Sequence, residues 1–203
     1  MTVAITRGAI AVVAAIVVGG CGGDEGQKLF TRADATRIAN VRPVMPGWTW
    51  PANPKKHGSS GSQTGAQSTD PLDVELRRQT ADIVFRGDAA NNWRDAHKLA
   101  NLYAQVVASP AKAHELMAPF NAYARGWGER FGRITKDERV DGLGDEAWLL
   151  RTEGNGAEVT YHWRRGNLVL EAHVDCFGIC PTDIDAAARA WVDAIDEAAR
   201  TGS

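Results

Sequence analysis

The strongest constraint on folding in this chain is a pair of alternating segments, residues 158–165 and 168–176, joined by Gly166-Asn167. A two-residue loop of this composition suits positive φ and closes a tight β-hairpin. With the loop placed, the register has no freedom, because a one-residue slip would turn every side chain to the opposite face. Arg165 must face Leu168, Trp163 Leu170, Tyr161 Ala172 and Val159 Val174. The last three pairs form an apolar face. The other face is polar: His162 lies opposite Glu171, Thr160 opposite His173, and Asp175 follows on the same side. That face is expected to be wet or to be covered by something polar.

Elements on either side of the hairpin follow from caps and periodicity. Asp70 is a good N-cap with Pro71 at the first helical position, and Leu72, Leu76 and Ile83 form a stripe, which predicts a helix over 71–81 with Asp73 facing Arg77. Phe85-Arg86-Gly87-Asp88 reads as a turn, and Leu102, Ala104 and Val106 alternate in a strand over 99–108. Ser109-Pro110 opens a helix to about 131 that carries Ala113, Leu116, Phe120, Ala124, Trp127 and Phe131 at helical spacing. Pro119 should kink or split that helix. A strand over 147–152 and a last helix over 183–199 complete the set. Thr182 is its expected cap, Ile184, Ala187, Trp191 and Ile195 its inner face, and Asp185–Arg189 and Asp196–Arg200 its outer pairs. These elements define an α+β protein. Its antiparallel sheet should have about four to five strands with helices packed on one face, behind a disordered N-terminal tether.

The N-terminus sets an address. Arg7 precedes an apolar run over 8–18, and Val18-Gly19-Gly20-Cys21 places two small residues before a cysteine. The stretch resembles the lipobox of bacterial lipoproteins. The run is too short to cross a bilayer, which takes about 20 apolar residues. The resemblance implies that residues 1–20 are a signal peptide and that Cys21 carries the membrane lipid, in a cell-membrane protein facing the extracytoplasmic side. Residues 21–69 then form an anchored segment and a Gly/Ser-rich linker, and residues 70–203 a single domain. Within the first segment, residues 33–41 suit a short helix. Trp48 and Trp50 sit at period two between prolines, as an extended piece that docks on the domain or as an aromatic platform. Loss of Arg7 with the leader would take the formal charge from −2 to −3, with signs interspersed, so no basic stripe points to nucleic acid.

The order of elements also resembles extracytoplasmic lipoproteins and sensor domains of actinobacteria, the extracellular sensor domain of membrane Ser/Thr kinases among them. The quoted motifs are Ser109-Pro110-Ala111-Lys112-Ala113, Gly142-Leu143-Gly144-Asp145-Glu146-Ala147 and Arg165-Gly166-Asn167-Leu168-Val169. The resemblance implies an antiparallel sheet with helices on one face, and binding of an unknown small ligand or an envelope protein.

Three constellations could carry chemistry. In an oxidising compartment Cys176 and Cys180 read as a structural disulfide; the alternative is a redox-active or metal-binding thiol pair. Ser109-x-x-Lys112 matches a penicillin-recognising motif, but Ser-x-Asn and Lys-Thr/Ser-Gly are missing downstream, so Ser109 reads as a helix cap. His162, Glu171 and His173 share one sheet face and could hold a divalent metal, or form a cross-strand polar cluster. No cofactor is implied. The leading expectation is a non-catalytic ligand- or partner-binding domain with a pocket near Trp127 and Trp148. A metal-handling protein or envelope enzyme, and a purely structural envelope component, are the alternatives.

Overall fold

The structure is a computed structural model and describes residues 29–45, 48, 55–56, 68–94, 97–178, 180 and 183–202. Cys21, Trp50, the heart of the linker and the expected cap Thr182 lie outside these residues. Among the described residues there are four helices, α1 (Arg32–Ala39), α2 (Pro71–Gln79), α3 (Pro110–Phe131) and α4 (Ile184–Thr201). The strands are β1 (Lys55–Lys56), β2 (Phe85–Arg94), β3 (Lys98–Val107), β4 (Arg133–Arg139), β5 (Glu146–Glu153), β6 (Gly156–Arg165) and β7 (Leu168–Phe177). They form one antiparallel sheet in the order β1-β2-β3-β7-β6-β5-β4.

The β6–β7 hairpin sits at the centre of this sheet in the register its turn demands, with Trp163 on Leu170, Tyr161 on Ala172 and His162 on Glu171. Gly166 takes φ 55°, and its N–H donates to Asp145 Oδ2 at 2.7 Å. Asn167 does more than turn the chain. Its buried amide accepts from Phe30 N at 2.8 Å and donates to Val107 O at 2.9 Å, tying the hairpin tip to α1's entrance and to the end of β3.

One face of the sheet is filled by α1 and α4. Trp93, Leu102, Trp163, Leu168 and Leu170 project from the strands against Ile38 of α1 and Trp191 and Ile195 of α4, all essentially inaccessible. Trp93 and Trp191 meet edge to face at 5.7 Å. Thr31 and Asp34 cap α1 reciprocally, and Trp191 Nε1 donates to Val41 O at 3.0 Å, which fixes α1 beside α4. Gly87 lies under α1, where a Cβ would come within 2.6 Å of Arg32. The opposite face takes α2 and α3. Leu76, Ile83, Leu116, Met117 and Phe120 cover Val107 and Val169 in a second, smaller cluster.

The α+β class and the antiparallel sheet therefore stand, and several details change. The sheet has more strands than four or five. Its helices lie on both faces, because Val107 at the end of β3 and Val169 of β7 give the second side an apolar patch that seats part of α3. Residues around α1, expected in the tether before Asp70, belong to the core: Ala35 and Ile38 are fully buried. The turn read at 85–88 is the start of β2, where the register shift between Phe85 and Gly87 absorbs one extra residue as a bulge. Helix α3 runs through Pro119 without splitting. Asp183 stands at the N-cap of α4 and makes no side-chain cap bond. The expected outward pairs on α4 are replaced by tertiary ones: Asp185 binds Arg151 and Lys136 at 2.8 and 2.7 Å, and Asp196 binds Arg165 at 2.6 Å.

Candidate functional site

Helix α3 covers the second face only in part. Its first half meets aliphatic side chains, whereas its second half crosses the polar residues of β6 and β7. His162 is 3% exposed, beneath Phe120 at a ring separation of 6.1 Å. Its Nδ1 lies 3.0 Å from Asn121 Oδ1 and its Nε2 3.2 Å from Glu171 Oε2, so helix and sheet together engage both ring nitrogens. Burial works against the Glu171 carboxylate. The hydrogen bond from His162 and the charges of His162 and His173 outweigh it, and the carboxyl is held below its ordinary value. On the neighbouring strand Tyr103 faces Glu171, and burial, with a smaller contribution from Glu171, pushes its phenol up to about 12.

A second polar group lies further along the hairpin. Thr160 Oγ1 is 3.2 Å from His173 Nδ1, and Glu158 Oε1 is 3.5 Å from the same nitrogen. Hydroxyl and carboxylate thus share one ring atom. A nucleophile–base–acid relay needs them on opposite nitrogens, so the trio does not have the geometry of acyl-transfer catalysis. Glu158 and Asp175 are directly opposed across the strands on this face. Burial pushes the Asp175 carboxyl up; His173 works against the rise and Glu158 adds to it by like charge.

Between this floor and the end of α3 the surface is hollow. A cavity of about 240 Å³ is bounded by Tyr123, Trp127, Thr160, His162, Glu171 and His173. It shares Phe131, Glu158 and His173 with a larger one of about 410 Å³, which continues past Thr152 and the β5–β6 turn to Asp175 and Phe177. The larger volume is within the usual range of small-molecule sites. Trp127 and Phe131 form the aromatic wall, the Phe131 ring stacked on Trp127 at 5.4 Å. Arg130, outside the lining, lies 4.9 Å over the indole and pairs with Asp70 at 2.6 Å. Phe131 is 66% exposed and Phe177 48%, at the mouth of the larger hollow. The Phe131 end of α3 was expected to be core and is instead the rim.

The residues singled out from sequence fare differently. His162, Glu171 and His173 come together on one face. Among the described residues, however, no group of three or more His, Cys, Asp or Glu side chains is arranged to hold a metal ion. Trp127 walls the smaller hollow, but Trp148 lines neither; its Nε1 donates to Asp137 Oδ1 at 2.6 Å beside Arg125. Trp48 is buried in the core rather than displayed as a platform, with Lys98 Nζ 5.2 Å over its ring. Cys176 and Cys180 are bridged. Ser109 accepts from Lys112 N as a cap, while Lys112 Nζ turns to Asp82 and Glu115 at 3.0 and 2.6 Å. Glu158, Asn121 and Phe177 went unnoticed in the sequence. One more step of the hairpin register would have placed Glu158 against Asp175, whereas nothing local marks Asn121.

No protein-family model matches the chain, and no curated protein matches it. Among solved structures it is similar to the extracellular domain of PknH from Mycobacterium tuberculosis, with 13% identity and a TM-score of 0.47, over 85% of this chain and 100% of that one. Among the described residues no helix is long and apolar enough to cross a membrane.

Proposed function

We propose that this chain is a lipid-anchored extracytoplasmic protein whose folded part is a non-catalytic binding domain, with its ligand site in the cleft between the second half of α3 and the β6–β7 hairpin. The observation that carries the reading is that cleft: a hollow of about 410 Å³, apolar at its walls and polar at its floor, in a sheet whose other face is filled. Polar groups at a floor like this orient a ligand, while apolar walls supply most of its affinity. The lipobox-like Cys21 and the Cys176–Cys180 bridge support an oxidising, membrane-tethered location. The engagement of both His162 nitrogens by Asn121 and Glu171 favours binding over catalysis.

Two measurements test the proposal. Metabolic labelling with an alkyne fatty acid should tag the wild type and not Cys21→Ala; cleaved, unlabelled wild-type protein would sink the anchor. A fragment screen followed by amide NMR should give shifts clustered at Trp127, Phe131, His173 and Phe177. Hits that map only elsewhere would sink the cleft.

A further inference from the structure

The cleft carries a charge preference as well as a shape. Neither hollow is lined by a lysine or arginine, whereas Glu158, Glu171 and Asp175 all line one or both. Of these, Glu171 is satisfied by His162 at 3.2 Å and Glu158 lies 3.5 Å from His173. Asp175 takes part in none of the ion pairs among the described residues and faces another carboxylate across the hairpin. Like charges directly opposed on a sheet are unfavourable unless something positive sits between or above them. Thr152, 3% exposed, lines the same hollow, and its Oγ1 has no hydrogen-bond partner. Above this floor stand Phe131 and Phe177, half open to solvent, the kind of ring that attracts an organic cation through its face.

We infer that the cleft takes a small organic cation with an apolar body, its ammonium group over Glu158 and Asp175 and its body against Phe131 and Phe177. This rests on the reading of the cleft as the ligand site and adds the chemical class. The hydrogen-bonding floor accepts N–H donors, and the rings at the mouth remove the apolar body from water. An anion would meet three carboxylates and no lysine or arginine, with the two imidazoles already engaged by Glu171 and Glu158. His162 and His173 hold Glu171 and Glu158 in place, so Asp175, whose carboxylate has the Cys176 backbone N–H but makes no ion pair among the described residues, is the one left to receive the ligand.

Three indoles of one shape and different charge separate these claims: tryptamine, tryptophol and indole-3-propionate, titrated by NMR into the full chain in mild detergent at pH 7. Tryptamine should bind at least tenfold more tightly than tryptophol, with shifts at Glu158, Asp175, Phe131 and Phe177, and indole-3-propionate should not bind. Asp175→Asn, a variant expected to fold at least as well as the wild type, should remove most of the tryptamine preference and leave tryptophol unchanged. Equal binding of tryptamine and tryptophol in the cleft would overturn the cation class and leave the ligand site standing. Shifts confined to another surface for all three probes would overturn both.

Discussion

The two faces of the sheet are built from the same strands and do different work. On the α1/α4 side the alternate residues of β3, β6 and β7 are apolar except at the strand ends, Lys98 and Arg165, and the helices seal it, so Trp93, Trp163 and Trp191 are all about 1% exposed or less. On the α3 side the alternate residues change character along the strands: Val107 and Val169 meet the first half of α3, and then His162, Glu171, His173 and Asp175 take over beneath its second half. A helix that packs apolar against apolar at one end and spans polar groups at the other cannot close down fully. Buried polar atoms need partners or room, and here they have both, through Asn121 and through the hollow. One face stores stability, and the other leaves space where polar groups can meet a ligand.

The sharpest way to break this comparison is to truncate one tryptophan on each face. Trp191→Ala should cost about 3–5 kcal/mol, the usual range for a fully buried aromatic. Trp127→Ala, at the wall of the hollow, should cost only about 1–2 kcal/mol, since its ring is partly open already. Urea titration of both variants measures this; equal losses would mean that the α3 face is core in the same sense as the other.

Next in size is the Cys176–Cys180 bridge, at the end of β7 just below the mouth of the larger hollow. Closing so short a loop is worth about 2 kcal/mol by chain entropy. Reduction should lower stability by about that amount and shift amide resonances around Asp175 and Phe177, while those around Trp93 and Trp191 stay put. Movement of the core resonances instead would show that the bridge braces the sealed face.

The hairpin was legible residue by residue because alternation and a two-residue loop leave one register, and the polar floor came with it. The long helices were legible from their caps and stripes. What escaped depends on partners distant in sequence. Strand β4, RITKDER, has one neighbour and a charged exposed side, so its composition looks like a loop; it is a strand because β5 offers an edge. Helix α1 has too few apolar residues to announce itself as core, and is held there by Asn167 from across the molecule. Asp185 and Asp196 had plausible partners one turn away on α4, yet Arg151 and Arg165 from the sheet win. The cleft itself depends on where α3 comes to rest, which Gly128 settles: a Cβ there would approach Thr152 Oγ1 to 2.8 Å.

A smaller effect tests whether the floor is structurally satisfied at Glu171. Its folded carboxyl is held below the ordinary 4.5, so the carboxylate contributes stability that is fully present above that value and is lost as pH falls through the lowered one. Glu171→Gln should therefore cost about 1 kcal/mol at pH 7, and the difference from wild type should close as the pH falls below 4.5 and through the lowered value. A penalty that does not change with pH would mean that shape rather than charge holds His162.

The smallest expected effect has the opposite sign, which makes it the most discriminating. Asp175 is raised above 3.8 in the folded protein, so the folded state resists its ionisation and loses stability relative to the unfolded chain as pH rises from 3.8 through the raised value. Asp175→Asn removes that charge and its repulsion from Glu158 at little change in volume. It should stabilise the domain by about 0.2–1 kcal/mol at pH 7, the scale of one cross-strand pair, and by nothing once the pH is low enough to protonate the wild-type carboxyl. Thermal melts of the two proteins between pH 3 and 8 measure the gain. A gain of that size would show that Asp175 costs stability where it stands, as the proposed cation site requires, in a floor otherwise paired by His162 and His173. If Asp175→Asn instead destabilises at pH 7, the carboxylate is serving the fold, and the two faces differ in packing density alone.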